Sequence, residues 1–167
     1  MRWDNIQKIY GWLTKKEAEL LYETACDCQG NILEIGSFVG RATAVLAESG
    51  NPVITTDMFP NNQLTDFWKN IDSLKLTNIT TIKCDHHYLP DFLTGRFKMV
   101  YVDGNHIASR IIPDLNFAYY LIDKGYIAIH DYNNKGWPDV KICVDVLLQQ
   151  WGLKIHKQAG TLIILRK

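Results

Sequence analysis

The run Ile32-Leu33-Glu34-Ile35-Gly36-Ser37-Phe38-Val39-Gly40-Arg41-Ala42-Thr43 constrains the fold more than any other part of this chain. Ile32, Leu33 and Ile35 fit a central strand buried on both faces, Gly36 and Gly40 break it into a turn, and a helical pattern follows at once. A glycine turn running from a strand into a helix lets backbone N–H groups approach a ligand, with the positive end of the helix dipole behind them. Ligands bind at such turns.

Strands and helices alternate on both sides of this turn. Thr14-Lys15-Lys16-Glu17 is a capping box, with Leu13 and Ala18 as a hydrophobic staple, and predicts a helix from Lys15 that Gly30 stops. Ala42, Val45 and Leu46 predict a short helix ending at Ser49-Gly50, and Val53 to Thr56 a second strand finishing at Asp57. Leu64, Phe67, Trp68, Ile71 and Leu74 keep the 3.6-residue period of a helix. Ile79 to Lys83 is a third strand, running out at Cys84-Asp85, and Phe97 to Val102 a fourth, running out at Asp103-Gly104. Ile107, Ile111, Leu115, Ala118 and Ile122 line the next helix, and Tyr126 to Ile129 make a strand ending at His130-Asp131. Pro138 opens a helix to about Trp151. Leu153 to His156 and Thr161 to Leu165, separated by residues 157–160, predict a terminal antiparallel pair. The fold class that follows is α/β: a single doubly wound, mainly parallel seven-stranded sheet with a C-terminal antiparallel strand, in one domain over residues 1–167. The lead-in of residues 1–13, with Trp3, Ile6, Ile9, Tyr10 and Trp12, is expected to lie on that domain or overhang the ligand cleft, and it is also a candidate surface for homo-oligomerisation.

Composition narrows the function classes. A chain of 167 residues buries a core without disulfides or structural metal. Its 18 basic and 18 acidic residues balance, so no basic excess points to nucleic acid. The longest apolar runs fall far short of a membrane span and the N-terminus lacks a signal-peptide pattern, so the expectation is a cytoplasmic protein with neither membrane nor nucleic-acid partner. Cys26, Cys28, Cys84 and Cys143 are too irregularly spaced for a zinc or redox motif and are read as buried free thiols.

In an open α/β sheet the ligand site lies at the carboxyl ends of the parallel strands. That edge collects Glu34 to Gly40, Asp57, Cys84 to His87, Asp103 to His106, and His130 to Tyr132, while the opposite loops carry ordinary turn residues. A dinucleotide fingerprint needs a second glycine where Phe38 stands, so a nicotinamide cofactor is disfavoured, and no phosphate-gripping P-loop is present. Asp57, about 20 residues past the turn, suits the hydroxyls of a ribose. An adenosine-containing ligand without pyrophosphate satisfies both observations. Against a ligand role, Asp57 and Asp103 would simply cap the following helices. Glu34 resists a bland explanation, because a carboxylate within an apolar strand is costly unless paired. His86 and His87 read as solvated or substrate-rim residues, since adjacent side chains diverge.

On these residues the chain resembles class I S-adenosylmethionine-dependent methyltransferases. Glu34-Ile35-Gly36-Ser37-Phe38-Val39-Gly40 is similar to their first motif, Asp57 to the acidic ribose-binding position, and Cys84-Asp85 to the segment near the adenine. Within that class, Val102-Asp103-Gly104-Asn105-His106 and Ile129-His130-Asp131-Tyr132 resemble segments of small-molecule O-methyltransferases of the macrocin and catechol kinds. The resemblance implies a Rossmann-like methyltransferase fold, S-adenosylmethionine as cofactor and a small hydroxylated acceptor. The implied cofactor-binding residues are Glu34, Gly36, Ser37, Phe38, Gly40, Asp57, Met58, Cys84, Asp85 and Asp103.

Methyl transfer to an alcohol needs help in removing the hydroxyl proton. His106, titrating near neutral pH three residues beyond Asp103, is the candidate general base. Asp103 and Asp131, with His130, are the candidate ligands of Mg²⁺ or another divalent cation, with Asn133 or Asn134 as a further oxygen donor. The alternatives left open are a metal-independent N-methyltransferase and a non-catalytic module that binds S-adenosylmethionine or S-adenosylhomocysteine.

Overall fold

A computed structural model describes residues 1–85 and 97–167. His86 and His87 lie outside the described residues. Among the described residues the strands are β1 (Ile32–Ile35), β2 (Val53–Asp57), β3 (Ile79–Lys83), β4 (Met99–Val102), β5 (Tyr126–Ile129), β6 (Ile155–Ala159) and β7 (Leu162–Arg166). The helices are α1 (Trp3–Ile6), α2 (Lys15–Cys28), α3 (Arg41–Ala47), α4 (Gln63–Ser73), α5 (Ala108–Leu121) and α6 (Pro138–Trp151). The strands form one sheet in the order β3-β2-β1-β4-β5-β7-β6. The first five run parallel to one another, whereas β7 pairs antiparallel with both β5 and β6. This is the doubly wound α/β fold expected from the sequence, and its strand order reverses between β1 and β4.

Both faces of the sheet are covered, which is why its central strands read as continuous apolar runs. Ile32, Met99, Tyr101 and Ala128 pack toward α2, α3 and α4, while Leu33, Val100, Val102, Ile127 and Ile129 pack toward α5 and α6. The predicted capping box forms at α2: Thr14 Oγ1 accepts from the Glu17 N–H, and Glu17 Oε2 accepts from the Thr14 N–H at 2.8 Å. In the lead-in only one helical turn, α1, forms, and Ile6, Ile9 and Leu13 bury their side chains while Tyr10 and Trp12 do not.

Two local expectations are corrected. The terminal hairpin has Gly160-Thr161 alone between its strands, so residues 157–159 belong to β6 rather than to a loop. Gly160 takes a positive φ of 55°, which tightens the turn, and a register shift between Ile155 and Lys157 breaks the alternation by which the strand would be recognised. Cys26 is exposed and Cys84 half-buried; only Cys28 and Cys143 are buried thiols.

The switch point leaves no room for a side chain. Gly36 sits at φ +93°, and a Cβ there would lie 2.1 Å from the Asp103 carbonyl oxygen. Gly36→Ala is therefore expected to destabilise the protein by about 2–3 kcal/mol, read from urea unfolding. An unchanged midpoint would contradict the close approach of β1 and β4.

Candidate functional site

A cleft of about 730 Å³ opens at the carboxyl ends of the parallel strands. It is lined by Gly36, Ser37 and Phe38 of the glycine turn, by Asp57 and Met58 after β2, and by Cys84 and Asp85 after β3. Asp103 and His106 after β4, and His130 and Asp131 after β5, complete the set from the other side. Of the residues that the resemblance implied as cofactor-binding, Glu34 and Gly40 do not line it.

Asp57 holds the turn. Its Oδ2 accepts from the N–H groups of Ser37 (3.0 Å) and Phe38 (2.9 Å), and its Oδ1 accepts from the Phe59 N–H at 3.0 Å. It does not cap α4, whose first turn has no side-chain cap, and Asp103 does not cap α5 either. Phe38 adopts φ 49°, the left-handed conformation usually left to glycine. Gly40, at φ +94°, backs onto the Phe67 ring, where a Cβ would come within 3.0 Å.

Glu34 lies fully buried beneath the turn. Its Oε2 accepts from Thr43 Oγ1 of α3 and Thr55 Oγ1 of β2, both at 2.5 Å, and Thr55 is in turn hydrogen-bonded to Ser37 Oγ. Burial pushes its pKa up to about 8 against the two hydroxyl donors, with the charges of Asp103 and Asp57 adding to the rise. Burial thus favours the protonated form of Glu34, which ties strand, turn and helix together.

Strand register assembles the charged side of the cleft. Val102 pairs with Ile129, so Asp103 and His130 leave neighbouring strands side by side. Alternation along β4 puts Asp103 on the face of Tyr101, whose buried hydroxyl donates to Asp103 Oδ2 at 2.8 Å. His130 Nδ1 lies 3.4 Å from Asp103 Oδ1 and 3.5 Å from Asp131 Oδ2. Its other ring nitrogen faces Glu17 Oε2 at 3.7 Å. Asp131, at φ 61°, accepts from Asn134 Nδ2 at 2.7 Å. His106 Nε2 lies 2.8 Å from Asp131 Oδ2, an ion-pair contact without hydrogen-bond alignment, and its ring stacks on Trp137 at 4.6 Å.

Each group carries the shift that its neighbours impose. Burial pulls both imidazoles down, but the carboxylates of Asp103 and Asp131 prevail, raising His106 to about 9 and His130 to about 12, the latter with help from Glu17. Burial would raise Asp103 and Asp131, yet the facing imidazoles hold both below the usual carboxylate range. Glu17 is lowered for a comparable reason: burial opposes its charge, but His130 and the Thr14 and Thr161 donors outweigh it. Tyr101, Glu17 and Trp137 were not legible as site residues. Glu17 was visible only as the acid of a capping box, and the other two as ordinary core or loop aromatics.

The opposite wall of the cleft comes from the lead-in. Tyr10, Trp12 and Phe38 form a ring cluster with centroids 5.3 to 5.8 Å apart. Arg41 reaches the lead-in backbone, and Arg110 Nη1 donates to Asp85 Oδ2 at 3.3 Å.

A family model described as a methyltransferase domain matches residues 33–132. No curated protein sequence matches the chain. Among solved structures, the Bacillus cereus O-methyltransferase in complex with S-adenosylhomocysteine superposes with a TM-score of 0.75 at 14% identity, over 98% of this chain and 91% of that one. The S-adenosylhomocysteine-bound Podospora anserina methyltransferase PaMTH1 gives 0.75 at 14% identity, over 99% and 85%. CalS11, a TDP-rhamnose 3'-O-methyltransferase of calicheamicin biosynthesis, gives 0.69 at 17% identity, over 92% and 81%. At such identities the likeness is one of fold.

Because His106 binds its proton more tightly in the folded protein than at its ordinary value of 6.5, it stabilises the fold fully below pH 6.5 and loses that contribution as pH rises to about 9. Urea unfolding of metal-free protein between pH 6.5 and 9 is expected to show stability falling with pH, and His106→Gln to flatten the slope. A slope unaltered by His106→Gln would remove His106 as its source.

Proposed function

The chain belongs to the methyltransferase domain family, and from that premise we propose that it transfers the methyl group of S-adenosylmethionine to a hydroxyl of a small-molecule acceptor. One observation carries the proposal: Asp103, His106, His130 and Asp131 open into the same cleft as the glycine turn. Cofactor and acceptor chemistry would then meet in one volume. Gly36, Ser37 and Phe38 would pass beneath the cofactor, Asp57 would meet its ribose with the one lone pair on Oδ1 that the three backbone donors leave open, and Met58, Cys84 and Asp85 would lie toward the adenine. Phe38 fills the place where a pyrophosphate would need bare backbone, in keeping with a cofactor that has none. Glu34 and Gly40 serve this site by shaping the turn.

When bound, S-adenosylmethionine would supply an electrophilic methyl group, and the acceptor hydroxyl that takes it must give up its proton. The hydroxyl proton passes to His106, which must first be neutral. Trp137 holds the imidazole flat against its own ring, and Asp131 keeps it close to the carboxylate pair.

Asp103, His130 and Asp131 each offer one ligand atom, all within 4.8 Å of one another, a donor set that fits a divalent cation. When bound, such an ion would lower the pKa of an acceptor hydroxyl. Asn134 lines the cleft beside this set, its Oδ1 accepting from the Gly136 N–H and its Nδ2 donating to Asp131. Asn133 is exposed and does not line the cleft. A second, metal-independent reading is favoured by His130 itself: flanked by Asp103, Asp131 and Glu17, its imidazolium already supplies a fixed positive charge there. Turnover that survives a chelator favours this second reading, and turnover that a chelator abolishes and Mg²⁺ or Mn²⁺ restores favours the first.

Calorimetric titration is expected to show S-adenosylmethionine binding; no binding with or without divalent metal would overturn the proposal. Binding without turnover across hydroxylated and amine acceptors would instead indicate a cofactor-sensing module, and transfer to amines alone an N-methyltransferase. His106→Ala is expected to keep S-adenosylhomocysteine affinity and lose roughly 10²- to 10⁴-fold in turnover. For the metal-free wild type, kcat/KM should rise with pH toward about 9 as His106 loses its proton. A flat profile would exclude His106 as the base.

A further inference from the structure

We propose that Arg41 is a positioning residue that holds residues 7–13 as a wall of the cleft, so that Tyr10 and Trp12 receive the face of an uncharged, hydroxylated ring acceptor. The inference rests on the methyl-transfer reading of the cleft and adds to it a substrate class and the residues that select it.

Arg41 opens α3 directly after the glycine turn. Its guanidinium donates from Nε to the Ile9 carbonyl at 2.6 Å, from Nη1 to Leu13 at 3.2 Å and from Nη2 to Gln7 at 3.0 Å. A planar fork with fixed N–H directions suits three carbonyls presented around it, and an ammonium would not reproduce that geometry. Gly11 lets the segment lie this close, since a Cβ there would already sit 3.3 Å from the Arg41 side chain.

What the clamp presents is aromatic surface that the core does not need. Ile6, Ile9 and Leu13 anchor the segment by burial, yet Tyr10 is 65% and Trp12 69% exposed while both line the cleft. They touch each other and Phe38, so one side of each cluster is packed and the other faces the open volume. Rings held in this way stack on a flat ligand at little cost in conformational freedom.

Charge then narrows the ligand. Arg41 is engaged by carbonyls and Arg110 by Asp85, no lysine among the described residues lines the cleft, and both imidazoles face Asp103 and Asp131. Among the described residues the cationic groups of the cleft thus each face a carboxylate or carbonyls, an arrangement that does not favour a phosphate or carboxylate on the acceptor. An uncharged ring stacked on Trp12 and Tyr10, with a hydroxyl directed to His106, uses what the cleft offers.

The test is calorimetry on protein saturated with S-adenosylhomocysteine, with catechol, methyl glucoside and phenyl phosphate as probes. Catechol and methyl glucoside separate an aromatic ring from a sugar ring; binding of either, with phenyl phosphate much weaker, supports the proposal. Trp12→Ala and Arg41→Lys should each weaken the bound probe roughly 3- to 10-fold, the worth of one aromatic stacking contact. S-adenosylhomocysteine affinity should stay within about twofold, and amide exchange over residues 7–13 should quicken in Arg41→Lys but not in Trp12→Ala. If Arg41→Lys fails to fold, Tyr10→Ala and Trp12→Ala carry the comparison. Probe affinity unchanged in Trp12→Ala, tighter binding of phenyl phosphate, or no binding of either uncharged probe would overturn the proposal. Failure to bind S-adenosylhomocysteine at all would instead remove the reading on which it rests.

Discussion

The site depends on the close approach of β1 and β4 at the point where strand order reverses. Gly36 and Asp103 run past each other with backbone in contact: the Asp103 N–H donates to the Ile35 carbonyl at 2.8 Å, and the Gly36 N–H donates across to Thr56 at 2.9 Å. Nothing larger than hydrogen fits at Gly36. Because the parallel strands end together here, the turn after β1, the acid after β2 and the acid–imidazole group after β4 and β5 face one volume. An antiparallel arrangement would have sent half of them to the opposite edge.

Two buried glutamates show how environment, not residue type, sets charge. Glu17 and Glu34 are both nearly inaccessible. Glu17 accepts four hydrogen bonds, two from Thr14 and two from Thr161, and faces His130, so it stays ionised. Glu34 has two hydroxyl donors and two acidic neighbours, and desolvation prevails. The ionised one supports a positive His130 beside Asp103; the other, whose protonated form burial favours, adds less negative charge beneath a turn where Asp57 already sits. Charge around the cleft is thereby balanced by residues that do not all line it.

Much of the fold was legible because local rules agreed. The capping box at Thr14, the glycine turn and Pro138 at the start of α6 each act within a few residues, and apolar runs bounded by turn residues mark strands buried on both faces. The terminal hairpin was harder: an edge strand tolerates Lys157 and Gln158, and its register shift removes the alternation that would have revealed it. The site was partly legible for the same reason. Gathering Asp57, Asp103, His106, His130 and Asp131 required only that parallel strands end on one edge.

The sequence by itself determined the strand–helix alternation, the place of the cleft and the residue types along it, since these follow from periodicity and turn chemistry. Tertiary structure alone decided which carboxylate answers which imidazole. Glu17 reaches Thr161 across 144 residues, and Arg41 finds carbonyls 28 to 34 residues earlier. Asp57 turned out to brace the turn as well as line the cleft, and Glu34 to lie beneath it. Such pairings depend on strand register, on the face to which a side chain is sent and on a positive φ at Asp131, none of which a local pattern encodes.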